Sequence, residues 1–295
     1  GSMILTGVST VTFGEAHAYK AEMGVEAQYA DGMFATILAG GKFEADTLAF
    51  RNDDDVTLTV TGEGSSFKLY SASGRTATGT YNYAVNEGAI IVAEKASFDV
   101  SGLANAEFVN SGSITLSSAS AKFATLTNNG TFTVSGVSTL NIGKLTGNTL
   151  QVVADTTLTD SVIGGNVSVG FNAENAADTT LTLAGDTSIG TLYVGKENRT
   201  NDYKFVIAGE ETTVKLGSLY SRTGSTTTIS NGATLDISDY WQSKGMVTVD
   251  ASTINHSGYN FYVYNNDSTD TAAIALMNGA VLNHINAYSL TLGST

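Results

Sequence analysis

Several side chains in this sequence have types and spacings that chemistry can use, and each has a plainer alternative. Asp236 lies close in sequence to Asp239 and Asp250, and carboxylates brought about 5–10 Å apart can serve as acid and nucleophile in glycoside hydrolysis. Solvated or turn positions are the commoner fate of such aspartates, and that reading outweighs the catalytic one. Asp53-Asp54-Asp55 gathers the carboxylate oxygens that calcium accepts, but lacks the spaced ligands of a dedicated loop. His256 and His284 follow Thr253-Ile254-Asn255 and Val281-Leu282-Asn283 at matching points of neighbouring repeats. Two imidazoles can share a transition metal only with a further ligand, and no nearby Cys, His or carboxylate repeats with them. A ladder of stacked polar rings accounts for the pair, and neither a metal nor a cofactor is expected.

The remaining candidate is aromatic. A tyrosine recurs once per repeat at Tyr193, Tyr220, Tyr240, Tyr262 and Tyr288, with Trp241 and Tyr264 alongside. Leu192 and Val194 flank Tyr193, and Phe261 and Val263 flank Tyr262. Strand side chains alternate between faces, so most of these rings should point outward. An outward aromatic row can stack on sugar rings or meet a partner protein. Its plainer role is a stabilising ladder worth ~0.5–1.5 kcal/mol per ring pair beyond burial. Tyr193, Tyr220, Tyr240, Trp241, Tyr262 and Tyr288 form the candidate ligand-binding set, and no catalytic residue is assigned.

The elements that must position these residues are short strands. Asn-x-Gly followed by alternating apolar residues appears as Asn86-Glu87-Gly88-Ala89-Ile90-Ile91-Val92, Asn110-Ser111-Gly112-Ser113-Ile114-Thr115-Leu116 and Asn128-Asn129-Gly130-Thr131-Phe132-Thr133-Val134. Farther along, turn residues precede each alternating strand at Gly185, Gly209, Gly232, Ala251 and Gly279, spaced by 24, 23, 19 and 28. Self-similarity at roughly 20–30 residues marks a solenoid, and units built of short strands exclude the helical kinds. The prediction is an all-β, right-handed parallel β-helix of roughly ten coils, each coil pairing with the next at about 4.8 Å. Alternation places Ile114, Leu116, Phe132, Val134, Leu140, Ile142, Leu181, Leu183, Val206, Ile229, Leu235, Ile237, Val247 and Val249 inside. Asn at the corners suits a coil-to-coil ladder of side-chain hydrogen bonds, and both Asn and Gly tolerate positive φ there.

Composition supports continuous sheet. The chain of 295 residues contains no proline, where average usage predicts about fifteen, and proline is excluded from central strands because it cannot donate to a ladder. A hydrophobic fraction of 42%, arranged in alternating runs, argues for a buried core. The net charge of −14 disfavours nucleic acid and anionic lipid as partners. With no cysteine there are no disulfides, thiolate nucleophiles or cysteine-based zinc sites. No apolar run reaches the length of a membrane-spanning helix. Residues 1–51 are less regular and read as an N-terminal cap on a single repeat domain, residues 52–295. Gly1-Ser2-Met3 reads as a cloning remnant, and Leu290-Thr291-Leu292-Gly293-Ser294-Thr295 as strand without a cap, as in a segment of a longer repeat protein.

Over roughly Thr57 to Thr295, the Asn-x-Gly-x-apolar-x-apolar repeats resemble the right-handed β-helix passenger regions of bacterial autotransporters and related surface adhesins. The resemblance implies an exported, fibre-like segment on the bacterial cell surface or secreted from it, binding a host or cell-surface glycan or protein without catalysis. Two alternatives stand beside it: a glycan-degrading β-helix enzyme, either polysaccharide lyase or glycoside hydrolase, and a purely structural stalk. The enzyme alternative fares poorly. The Gly-His-Gly and Arg-Ile-Lys motifs of polygalacturonase-like sites are absent, and a proline-free chain cannot carry the proline-containing arginine motif of pectate lyases.

Overall fold

The structure, a computed structural model, describes residues 2–6, 10–13, 34–38, 40–45, 50–52, 54, 57–71, 74–76, 79–81, 84–103, 107–170, 178–195, 202–265, 272–284 and 289–294. Among them the chain is all strand with no helix, and its parallel strands stack as a β-solenoid of about eight turns. The average spacing implies roughly ten turns, but coil lengths vary. Leu58 and its register partner Ile90 are separated by 32 residues, whereas Ile90 and Ile114 are separated by 24. Within the longer coil, Gly74–Thr76 and Gly79–Tyr81 form an antiparallel pair. Parallel pairing already includes Ser2–Thr6 against Phe34–Leu38, and Phe34–Leu38 against Thr57–Thr61.

Contacts divide the chain into two compact units, Gly1–Thr133 with Ser138–Thr149, and Val134–Val137 with Leu150–Thr295. In the first, Leu58, Ile90 and Ile114 form one inward column, and Val60, Val92 and Leu116 the next. Phe43, Phe67 and Phe98 stack in register at 4.9 and 5.1 Å between ring centres. Parallel in-register pairing sets like residues one above another, so a single inward aromatic per coil builds a continuous column.

The Asn-x-Gly corners divide their labour. Asn52, Asn86, Asn110 and Asn128 are all buried. The Nδ2 of each of the first three donates to the Oδ1 of the next, at 2.6, 2.6 and 2.7 Å. Each amide also donates to a nearby carbonyl, Asn110 to Thr131 at 2.9 Å and Asn128 to Asn148 at 3.1 Å. The glycines of the motif do not adopt positive φ, contrary to expectation. They are required by close approach, since a Cβ on Gly112 would overlap the Gly88 carbonyl and one on Gly130 the Gly112 carbonyl. Positive φ belongs to the turn row read from spacing: Gly185, Gly209, Gly232, Ala251 and Gly279 all adopt it.

In the second unit, Leu181, Phe205, Thr227 and Val247 form an inward column beside Leu183, Ile207, Ile229 and Val249. Of the fourteen positions read as interior, Val206 is the exception. In the strand Tyr203–Ala208 the inward residues are Phe205 and Ile207, so Val206 points outward in register with Thr182 and Thr228. Three consecutive apolar residues, Phe205-Val206-Ile207, hide which parity faces the core, and a one-residue slip inverts it.

Candidate functional site

The tyrosine row lies on the outer face of the second unit. Its strands are Asp186–Val194, Thr213–Ser221, Tyr240–Ser243 and Asn260–Asn265. Tyr193 and Tyr220 are direct register partners and stack at 5.1 Å with 13° between planes. Tyr220 stacks on Tyr240 at 5.0 Å, and Tyr240 meets Tyr262 at 5.6 Å, tilted by 43°. Each of the four rings is half-buried. Tyr262 donates its hydroxyl to Asn260 Oδ1 at 3.2 Å. Partial burial, followed by the charges of Tyr193 and Asp239, raises the pKa of the Tyr220 phenol, so it stays protonated and able to donate at neutral pH.

The row is not a straight column. The register partner of Tyr220 is Gln242, which pairs in turn with Tyr262; Tyr240 sits two positions earlier and reaches its neighbours diagonally. The cause is a corner that lengthens from coil to coil. Leu216 and Leu219 are three residues apart, their partners Ile237 and Trp241 four, and the next pair, His256 and Phe261, five. This growth turns Trp241 inward, against the expectation that it belongs to the candidate ligand-binding set. Its side chain is 0% exposed and stacks on Phe261 inside the coil at 4.2 Å. Tyr264 belongs to the strand Asn260–Asn265, and Tyr288 lies outside the described residues.

Among the described residues the polar candidates serve as structure. Asp236 Oδ1 accepts from Asn255 at 2.7 Å, and Asn255 Oδ1 accepts from Asn283 at 2.8 Å. Asp250 accepts from Asn278 at 2.6 Å, on a different strand column. The Asp239 carboxylate lies 3.5 Å from the Ser218 hydroxyl. Asp54 is exposed in a turn, and Asp53 and Asp55 fall outside the described residues. No group of three or more potential metal-ligating side chains occurs among the described residues.

His256 and His284 are register partners, as their spacing predicts, and stack at 4.8 Å. The fully buried His256 places Nε2 3.0 Å from the Asp239 carbonyl and Nδ1 2.9 Å from Nδ1 of His284. A carbonyl only accepts, so His256 carries its proton on Nε2 and its Nδ1 accepts from His284 Nδ1–H. Protonating His256 at Nδ1 sets two N–H groups against each other. Burial lowers the pKa of His256 below its ordinary 6.5, and the neighbouring His284 pushes the same way against the opposing pull of Asp239. The unfolded chain therefore binds the proton more readily than the folded one, and stability is lost as pH falls below the unfolded pKa. Between pH 7.5 and 5.5 the urea midpoint is expected to decrease, and His256→Gln should reduce that decrease. A pH dependence identical in the variant would show that His256 does not carry it.

Sequence reasoning missed a groove on the same unit. It has a volume of about 360 Å³ and is lined by Val162, Ser188, Lys215 and Asp236 along one outward column, with Gly190 and Gly217 at its corner. Successive register pairs set Val162, Ser188, Lys215 and Asp236 one above another. A Cβ on Gly190 would come within 2.8 Å of the Gly165 carbonyl, and one on Gly217 would overlap that of Gly190. The glycines thus let the corners pack backbone to backbone and leave the groove floor without side chains. Tyr193 and Tyr220 follow Gly190 and Gly217 by three residues each, so the strands Asp186–Val194 and Thr213–Ser221 carry residues of both groove and row.

Compared with protein-family models, curated proteins and solved structures, the chain matches none.

Proposed function

We propose that this solenoid is a non-catalytic segment of an exported surface protein that holds a glycan or protein partner against its tyrosine row. The observation that carries this reading is the row itself: four half-buried rings at 5.0–5.6 Å, packed ring on ring so that their outer edges form one continuous strip for a partner. Fixed rings supply contact area at low entropic cost, because the coils hold them before any partner arrives. The carboxylates of a hydrolase-like reading are instead engaged in hydrogen bonds that join neighbouring coils. Among the described residues no helix is long and apolar enough to cross a membrane.

The test separates adhesion from a structural ladder. Tyr240→Ala removes two ring contacts and should destabilise the protein by about 1–3 kcal/mol. Tyr262→Ala is expected to be milder, since its contact with Tyr240 is tilted. On an array of glycans and extracellular-matrix proteins, the wild type should bind and both variants should lose the ligand while remaining folded. Lower melting temperatures with binding intact would leave only the ladder. Product release from pectin, alginate, glycosaminoglycan or mucin that disappears on replacing Asp236 or Asp239 would restore the enzyme reading.

A further inference from the structure

The groove beside the tyrosine row contains polar groups that the fold leaves uncommitted. Asp236 Oδ1 accepts from Asn255, and among the described residues its other oxygen has no partner. Lys215 is its register neighbour on the adjacent coil and is exposed; among the described residues its ammonium makes no ion pair or hydrogen bond. One cation and one anion thus stand side by side along the groove, with the Ser188 hydroxyl a coil below Lys215. Val162, a coil below Ser188, adds exposed apolar surface at the groove's edge, whereas the side chains of Ile163, Ile189 and Leu216 turn into the core.

From this arrangement we infer that the groove binds a neutral oligosaccharide laid across successive coils. Sugar hydroxyls donate to the Asp236 carboxylate and accept from the Lys215 ammonium, while C–H groups of the sugar rings rest on the exposed Val162 and reach the outer edges of Tyr193 and Tyr220. Charge selects the class. The lysine and aspartate cancel locally, and the chain carries a net charge of −14, so a polyanion approaches against the field of the protein while a neutral chain of hydroxyls finds both a charged donor and a charged acceptor. The glycine corners matter because any larger residue there would part the coils. The inference rests on the partner-binding reading of the row and names the ligand class that this face takes.

The experiment is calorimetric titration of the whole chain with cellotetraose, chitotetraose and mannotetraose, and with tri-galacturonate as the anionic probe. At least one neutral tetrasaccharide should bind, with an affinity little changed between 50 and about 500 mM salt, since no net charge is neutralised. Lys215→Met and Asp236→Asn should each weaken it about tenfold, the loss of one charge-assisted hydrogen bond. Asp236→Asn keeps the acceptor for Asn255, and melting temperature should hold in both variants. Ser188→Phe, which fills the groove from its outer face, should abolish binding. A ligand lost in Tyr220→Ala but kept in the Lys215, Asp236 and Ser188 variants would overturn the groove and leave the row as the binding face. Binding unchanged in all of them would overturn both. Preference for tri-galacturonate, or no heat with any neutral probe, would overturn the groove alone; a protein ligand on the array would then be the row's partner.

Discussion

Replacing Trp241 with alanine is expected to destabilise the second unit by about 3–5 kcal/mol, the range for removing a large aromatic from a packed interior. The ring is fully buried, stacks on Phe261 at 4.2 Å and meets His256 edge-on at 6.0 Å. Its Nε1 finds no acceptor among the described residues, so removing the side chain sacrifices packing rather than a hydrogen bond. In a solenoid each coil contacts only its neighbours, and the damage should stay local. Amide exchange should accelerate in Thr213–Ser221, Tyr240–Ser243 and Asn260–Asn265, while Thr57–Thr61 and Ala89–Ala93 remain protected. Tyr240, adjacent in sequence but on the opposite face, should cost much less when truncated. Equal losses at the two positions would mean that the inward and outward assignments around this corner are wrong.

That corner also shows where a sequence of this kind stops being legible. Strand parity could be read wherever apolar and polar residues alternate, as in Ile114-Thr115-Leu116, and failed where they do not, at Phe205-Val206-Ile207. The period located the tyrosines, but not the extra residues that shift Tyr240 off the column and turn Trp241 inward. An insertion of one residue leaves the repeat length within its natural scatter while inverting every side chain until the next turn. The asparagine ladder was visible at three corners through Asn-x-Gly. Its first member, Asn52, lies in Asn52-Asp53-Asp54 and carries no such signal. The groove had no sequence signature at all, because Ser188, Lys215 and Asp236 come from three coils and become neighbours only through register.

The asparagine ladder leads to the second large effect, expected for Asn110→Asp. Asn110 Oδ1 accepts from Asn86 at 2.6 Å, and its Nδ2 donates to Asn128 Oδ1 at 2.7 Å and to the Thr131 carbonyl at 2.9 Å. Aspartate has nearly the same shape but turns that donor into an acceptor, so an oxygen faces two oxygens in a site with no access to water. Ionised, it is a buried charge with a single donor; protonated, it can satisfy only one of the two acceptors. A loss of about 3–5 kcal/mol is expected near neutral pH. Asn110→Ala should cost less, because Asn86 Nδ2 keeps its bonds to the Gly88 and Ser113 carbonyls at 3.3 and 3.1 Å, and no charge is buried. The two variants should also differ in their response to pH. Desolvation raises the folded-state pKa of the introduced carboxyl above its unfolded value of about 3.9. The aspartate variant therefore suffers least below that unfolded value and loses stability as pH rises through the folded pKa. Urea midpoints of wild type, Asn110→Ala and Asn110→Asp at pH 4 and pH 7 are the measurement. If the aspartate variant matched wild type across that range while the alanine variant lost stability, the ladder would owe its stability to shape alone rather than to the direction of its hydrogen bonds.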